Sequence, residues 1–290
     1  SRPPHAPTNP SPPYQGHTYL QLQNTRPSAV SPLSGQGLLN TMRASTWRAG
    51  VFPCTLLALI GSAQSFLPTH RPLVHPSSTL LKQSSSPNEL FDSPGWEAIK
   101  QELDQVPIFA VANAEGQPIK YRIEKKGTSF EVPLFYTHVS DALTELEKAK
   151  ENTPLPGMDI NPYPLGGIFE MWAKDSAIIV PSKKSIIQAG APPNANPMGQ
   201  QVPLFACMEI AQENENGKPI LPLFLELDDA NKAVTQAVSL DGGKEEDFEV
   251  VGLNLPEAVN LLANAKEEAT AFQFIPPTSS LDHIRDYLSG

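Results

Sequence analysis

The sequence predicts an α/β (α+β) protein that is internally duplicated, in which a pseudo-two-fold mixed β-sheet carries packed helices. The first observation is a phrase made of an aliphatic residue, a proline, a second aliphatic residue and phenylalanine. This composition favours a half-buried strand, and the proline restricts the phrase to a strand start or an edge. The phrase occurs four times, and its flanking residues recur in the same order. The four copies are residues 106–109, 132–135, 202–205 and 221–224.

The copies form two pairs, and the second pair follows the first after roughly ninety residues, longer than the usual repeat periods. Residues 139–142 resemble 227–230, and residues 179–182 resemble 275–278. Chance recurrence in a proline-rich chain is the alternative, but it does not explain four copies with matched flanks. We therefore expect each half to run strand-strand-α-β-α-β-α, which implies a mixed sheet with helices packed on it.

The first half is predicted to span residues 89–190 and to begin with a docking helix. Trp96, Ile99 and Leu103 are spaced i, i+3, i+7, which predicts this helix over residues 88–105. Ser140 or Asp141 caps a later helix that ends at Lys150. The other predicted elements are strands 106–112, 119–124, 131–138, 159–163 and 177–180, a helix marked by Leu165, Ile168, Phe169 and Trp172, and a helix over 182–188.

The second half is predicted to span residues 201–290, after a linker over 191–200 that is rich in proline and small residues. Asn254 caps one of its helices, with Pro256 in the first turn. The acidic residues 241–247 predict a solvated loop. The other predicted elements are strands 204–210, 220–227, 248–253 and 271–275, and helices that begin at Asp228 or Asp229 and at Ser279.

The N-terminal region is predicted to hold targeting sequences rather than a folded domain. Residues 1–41 lack apolar content and are expected to be disordered, and because the first methionine is Met42 we expect them to be an untranslated leader. Residues 42–65 predict a signal peptide, with basic residues, an apolar run over 51–60, and the small residues Ala63 and Ser65 before the cut. A membrane span is the competing interpretation, but the apolar run is too short for one.

Residues 66–88 predict a second targeting sequence, which is disordered and resembles a transit peptide. Residues 1–90 hold one acidic and six basic residues against 30 and 15 in the remainder, so the net charge of −10 divides into +5 and −15. A signal peptide followed by Phe66 and a basic, serine-rich segment resembles the bipartite plastid presequence of algae with complex plastids. An ordinary secreted protein with a disordered N-terminus is the alternative.

The body shows no catalytic signature, and we predict a protein that is not an enzyme and has no metal site and no cofactor. There is no G-x-G-x-x-G, no phosphate loop and no H-E-x-x-H. His138 and His283 are interpreted as polar rim residues, and Asp228 with Asp229 as a helix cap. Cys207 is interpreted as a small buried hydrophobe. An acidic body without a basic stripe argues against nucleic-acid binding.

Aromatic residues recur on the duplicated strands and helices, and most must be core. Two equivalent half-domains tend to place equivalent grooves on opposite faces, where extended chains could lie. The candidate groove residues are Phe109, Phe135, Phe169, Trp172, Phe205, Phe224, Phe272 and Phe274.

With these segments assembled, residues 105–289 resemble the Tic22 family of the plastid and cyanobacterial envelope. The resemblance rests on the four phrases, the strand-to-helix passages 134–142 and 223–230, and the closing residues 274–277. It implies a pseudo-two-fold, butterfly-shaped α/β protein with apolar pockets. It also implies a chaperone-like role in the envelope intermembrane space, with unfolded preproteins and import translocon subunits as partners and at most peripheral membrane association.

Two other functions stay open. One is a structural or accessory subunit bound to a plastid membrane complex, such as one of the thylakoid. The other is an enzyme of unrecognised type, for which His138, His283, Asp228 and Asp229 would have to converge.

Overall fold

The computed structural model describes residues 48–49, 90–125, 128–152, 155–213, 219–241, 243–264 and 271–289. The predicted leader, most of the signal peptide with Ala63 and Ser65, and the transit-like segment 66–88 with Phe66 lie outside these residues. Within the predicted signal peptide, Arg48–Ala49 forms a two-residue strand, β1. None of the described helices is long and apolar enough to cross a membrane.

The first half begins with helix α1, which is shorter than predicted because backbone turns over residues 90–96, at Pro94 and Gly95, separate it from residues 90–91. Helix α2 begins at Val139, one residue before the expected cap. The elements are α1 (Trp96–Asp104), β2 (Pro107–Ala112), β3 (Lys120–Lys125), β4 (Thr128–Tyr136), α2 (Val139–Asn152), β5 (Asp159–Pro164), α3 (Leu165–Ala173), β6 (Ile178–Val180) and α4 (Lys183–Gln188).

The second half repeats this order from β2 onward. Asn254 caps a helix as predicted, since its side chain accepts a hydrogen bond from the Glu257 N–H at 2.9 Å and Pro256 lies in the first turn. The elements are β7 (Pro203–Cys207), β8 (Ile210–Glu213), β9 (Pro219–Phe224), α5 (Leu227–Asp241), a 3-10 turn (Glu245–Asp247), β10 (Val250–Asn254), α6 (Leu255–Ala263), β11 (Ala271–Ile275) and α7 (Thr278–Ser289).

The described chain is therefore a mixed α/β protein with seven helices, and it has two sheets where the sequence suggested one. Each half also opens with three strands rather than a pair. The predicted strand 204–210 is divided because Met208 and Glu209 turn the chain, so that β7 ends at Cys207 and β8 starts at Ile210.

The two sheets have matching connections. In the five-stranded sheet, β2 pairs antiparallel with β4 and β5, β3 pairs antiparallel with β4, and β6 pairs parallel with β4. In the six-stranded sheet, β7, β8, β9, β10 and β11 repeat these four pairings in the same order, and β1 adds to β8. An internal duplication accounts for this correspondence, and the duplication itself stays a prediction.

The strand register corrects one equivalence suggested by the phrases. Phe109 faces Tyr136 in the first sheet, and Phe205 faces Phe224 in the second. Tyr136, rather than Phe135, is thus the counterpart of Phe224. A shift of one residue moves a side chain to the other face of a sheet. Phe135 accordingly packs in the central core and Phe224 in an outer core.

Among the residues described above, three apolar clusters form the core, and the central one takes residues from both halves. Alternate residues of the first strands face it, including Ile108 and Ala110 on β2 and Leu204 and Ala206 on β7. The opposite faces of the strands form one outer cluster in each half. Ile284 of α7 packs into the outer cluster of the first half, and Ala189, just after α4, packs against that of the second. The last helix of each half therefore covers the other half.

Candidate functional site

Six of the eight candidate groove residues are core side chains in the structure. Phe109, Phe135, Phe169, Phe205, Phe224 and Phe274 are each at most 3% exposed. They do not line an open surface, because Phe135, Phe169 and Phe274 pack in the central cluster and Phe109, Phe205 and Phe224 pack in the outer clusters.

Trp172 and Phe272 differ from the other six, since each is only half-buried. Trp172 on α3 meets the Phe169 ring edge to face, with 5.6 Å between centroids. Phe272 on β11 meets Phe274 in the same way at 5.8 Å. Both side chains border the central core rather than sit in it. Other half-buried apolar side chains on that border are Leu90, Phe91, Met171, Met208, Val251, Leu253 and Leu262.

A polar cluster lies where the two halves meet. The N–H of Thr137 bonds the Val180 carbonyl at 3.1 Å, and the N–H of Leu225 bonds the Ile275 carbonyl at 3.0 Å. These equivalent bonds make His138 and Glu226 counterparts. Their side chains touch, with Nε2 of His138 3.2 Å from Oε1 of Glu226, and they are 16% and 12% exposed. Residues at the same position in two related halves meet in this way when they lie on the symmetry axis between the halves.

The hydrogen bonds of His138 assign its proton. Nδ1 accepts the backbone N–H of Ser140 at 3.1 Å, so in the neutral ring the proton is on Nε2. Nε2 faces both Glu226 and the Ser279 hydroxyl, which is 2.9 Å away. A Ser-His-acid triad needs the serine and the carboxylate on different ring nitrogens. Ser279 does not meet this requirement, because it shares Nε2 with Glu226. Ser140 does meet it, because its hydroxyl lies 2.7 Å from Nδ1 while Glu226 lies on Nε2.

The electrostatics of the cluster follow from burial and from local charge. Burial raises the pKa of Glu226, with His138 acting in the opposite direction. Hydrogen bonds from Lys184 and Gln188 lower the pKa of Asp228. Asp229 accepts the backbone N–H of Thr278 at 2.9 Å and the Lys232 ammonium at 2.9 Å. The two aspartates thus join α5 to α4 and α7, in addition to lying in the first turn of their own helix.

The residues required by the enzyme hypothesis converge only in part. His138 and the two aspartates approach one another through Glu226. His283 instead faces the Phe109 ring edge to face at 6.2 Å. Across the residues that the structure describes, no group of three or more His, Cys, Asp or Glu residues could hold a metal ion. Cys207 is fully buried, as predicted, and burial raises the pKa of its thiol to about 12.

Glu226, the partner of His138, is not among the residues predicted from the sequence. A signal for it exists in the repeat, because residues 139–142 match 227–230 and place Glu226 opposite His138. A glutamate and a histidine at one repeat position are not similar residues, so comparing residue types does not find the pair.

The fold resembles solved structures of Tic22 proteins. The structure entitled Tic22 from Plasmodium falciparum aligns with a TM-score of 0.54 and 18% sequence identity, over 66% of this chain and 98% of that one. The structure entitled Anabaena Tic22 (protein transport) aligns with a TM-score of 0.51 and 18% identity, over 66% of this chain and 96% of that one. No protein-family model and no curated protein sequence matches the chain. The chain thus has a Tic22-like fold.

Proposed function

We propose that this protein is a non-enzymatic, chaperone-like component of protein import into plastids. In this proposal it binds unfolded preproteins and translocon subunits in the envelope intermembrane space of an alga with a complex plastid. The observation that carries the proposal is the shared fold, which extends over 98% and 96% of two Tic22 chains, one of them entitled a protein-transport component. The plastid-type targeting sequence predicted over residues 42–88 supports a location in the same organelle.

The surface expected to touch preproteins is the border of the central core. Trp172 and Phe272 lie on it half-buried, so each presents part of an aromatic ring to solvent. Aromatic side chains contribute large contact areas to binding sites. We therefore assign client binding to this border and to these two of the eight sequence-predicted aromatic residues.

Suppression of client aggregation tests the proposal. The protein is added to heat-denatured citrate synthase, and light scattering is followed with time. We expect the wild-type protein to reduce scattering, and Trp172→Gln to lose at least about half of this effect because it removes an apolar contact. Tyr287→Gln is the matched control, since Tyr287 is 69% exposed on a different element, α7.

The stability of each variant is measured by urea denaturation, so that a loss of folding is distinguished from a loss of binding. Pull-down from a plastid envelope extract provides the second readout, with translocon subunits and preproteins as the expected partners. A wild-type protein that neither reduces scattering nor retains any envelope protein would contradict the proposed function.

The location is tested separately by fusing a fluorescent protein to the full chain. We expect the fusion to surround the plastid and Phe66→Ala to hold it in the secretory pathway. Secretion of both proteins would favour the alternative of an ordinary secreted protein.

A further inference from the structure

The edge strands β5 and β10 are equivalent in position and differ in chemistry. Each pairs antiparallel with the first strand of its half, β5 with β2 and β10 with β7. Two equivalent backbone bonds place them in the same register, from the Leu165 N–H to the Val106 carbonyl at 3.0 Å and from the Leu255 N–H to the Val202 carbonyl at 2.9 Å. Residue by residue, Ile160, Pro162 and Pro164 correspond to Val250, Gly252 and Asn254.

These three positions are the ones whose backbone groups point away from the sheet. In an antiparallel pair, the residues that exchange hydrogen bonds alternate with residues whose N–H and C=O face outward. Leu165 and Leu255 are bonded positions, so Tyr163 and Leu253 are bonded positions as well. Positions 160, 162 and 164 of β5, and 250, 252 and 254 of β10, therefore face the free edge.

The β5 edge offers no free donor at these positions. Pro162 and Pro164 have no N–H, and the N–H of Ile160 bonds the Asp159 carboxylate at 2.8 Å. Prolines and side-chain caps are the means by which proteins prevent a sheet edge from pairing with another chain. The first half is therefore closed to strand addition along β5.

The β10 edge is open by the same criteria. Val250, Gly252 and Asn254 each keep a backbone N–H, and all five β10 residues are half-buried. Within the part of the chain that the structure describes, β7 is the only strand that pairs with β10. Val251 and Leu253 border the central core, and Val250 borders the outer cluster of the second half. An added strand would gain main-chain hydrogen bonds and apolar contacts on both faces.

Charge indicates what kind of chain fits this edge. The acids Glu245, Glu246, Asp247 and Glu249 precede the strand and Glu257 follows it, with Lys244 as the only base in residues 244–257. Antiparallel pairing of β10 with a second copy would bring the acidic residues that precede β10 in each copy towards the first turn of the other copy's α6, which holds Glu257. Like charges placed opposite each other destabilise strand pairs. The edge is thus unfavourable for self-pairing and complementary to a basic segment.

We propose that the β10 edge binds an extended, basic segment of another polypeptide by strand addition, with Gly252 at its centre. This inference rests on the proposed function in one respect, since it takes the partner to be an incoming preprotein. Recognition is mainly through backbone groups, which suits a protein that binds many sequences.

The test measures binding of a fluorescein-labelled peptide of about ten residues, alternating valine and lysine, to the full chain by fluorescence anisotropy. We expect Gly252→Pro to raise Kd at least about ten-fold, the effect of losing one or two main-chain hydrogen bonds. The backbone tolerates proline there, because Pro162 occupies the equivalent position in β5. The control is Pro162→Ala, which should not change Kd because Pro164 and Asp159 keep that edge closed.

A second measurement needs no protein variant. Methylating alternate backbone nitrogens of the peptide removes the donors of one edge, and we expect weaker binding for one of the two methylation registers. Equal binding by the unmethylated peptide and both methylated peptides would overturn the proposal, as would unchanged binding by a folded Gly252→Pro protein. A dimer of the wild-type protein that Gly252→Pro dissociates would overturn it too, because the occupant would then be a second copy.

These results separate the inference from the proposed function. If the wild-type protein suppresses client aggregation but does not bind the peptide, the β10 inference fails and the proposed function stands. If the protein binds the peptide at β10 but neither suppresses aggregation nor retains envelope proteins, the proposed function fails and the edge site stands.

Discussion

At the residue scale, one pair of different side chains at equivalent positions meets where the two halves join. His138 and Glu226 form this pair, with 3.2 Å between Nε2 and Oε1. Two glutamates at these positions would repel each other. Two histidines whose Nδ1 atoms each accept a backbone N–H, as that of His138 does, would direct two Nε2–H donors at each other. The difference between the halves thus gives the interface a complementary pair.

Glu226→Gln tests this account through the pH dependence of stability. Because burial raises the pKa of Glu226 above 4.5, the folded state binds this proton more tightly than the unfolded state does. The contribution of the group to stability is present below pH 4.5 and is lost as the pH rises through the raised pKa. We expect the free energy of unfolding of Glu226→Gln to fall less with rising pH in this window than that of the wild-type protein.

Urea denaturation at a series of pH values measures this difference. Glu115→Gln is the control, since Glu115 is an exposed glutamate in a turn and should leave the pH profile unchanged. Parallel profiles for Glu226→Gln and the wild-type protein would show that the carboxyl group is not held by the cluster as described.

At the scale of elements, α1 lies against α3 and α6, the equivalent helices of the two halves. Gly95, just before α1, donates its N–H to the Ala263 carbonyl at 3.2 Å. On α3, Gly166 lies against α1, where an added Cβ would meet Asp104 and would lie 2.8 Å from the Lys100 carbonyl oxygen. The close packing of α1 on α3 therefore requires a residue without a side chain at position 166, in addition to the buried apolar residues of α1.

We expect a glycine-to-alanine substitution to have opposite effects at two neighbouring positions of α3. Gly166→Ala should destabilise the protein by about 1–3 kcal/mol, because the added methyl group meets α1. Gly167→Ala should be neutral or stabilise by up to about 1 kcal/mol, because alanine favours a helix and an added Cβ meets nothing within 4 Å. Urea denaturation of both variants measures the difference, and equal effects would contradict the packing of α1 on α3.

At the scale of the whole molecule, the last helix of each half packs against the other half. The third residue of α4, Ser185, directs its hydroxyl to the Leu225 carbonyl at 3.4 Å. The third residue of α7, Ser280, accepts the Val139 N–H at the same distance. Both serines are nearly inaccessible, at 2% and 0% exposed. Together with the shared central cluster, these contacts make each half part of the other's core.

We therefore expect that neither half folds alone. Fragments of residues 89–190 and 201–290 would each lack the helix that completes an outer cluster and half of the central one. Each should show no cooperative thermal transition by circular dichroism, whereas the full chain should unfold in a single transition. A cooperative transition of either fragment would show that the halves are independent domains.

Much of the architecture was predictable because short stretches of sequence determine it. The phrase at residues 106–109 marks the start of β2, and Asn254 with Pro256 marks the start of α6. The order of strands and helices in each half followed from such local patterns, apart from the division of residues 204–210 into two strands. For the candidate site, the sequence identified the aromatic residues but could not separate Trp172 and Phe272 from the six that are core.

By itself, then, the sequence determined the class of fold, the order of its elements and the absence of recognised catalytic motifs, because propensity and periodicity act between residues close along the chain. Only the tertiary structure decided that there are two sheets, that Tyr136 rather than Phe135 corresponds to Phe224, that Glu226 meets His138, and that β10 has an open edge where β5 is closed. Each of these is a relation between residues far apart in the chain. Such relations are settled by strand register and by packing, in which a shift of one residue exchanges the two faces of a sheet.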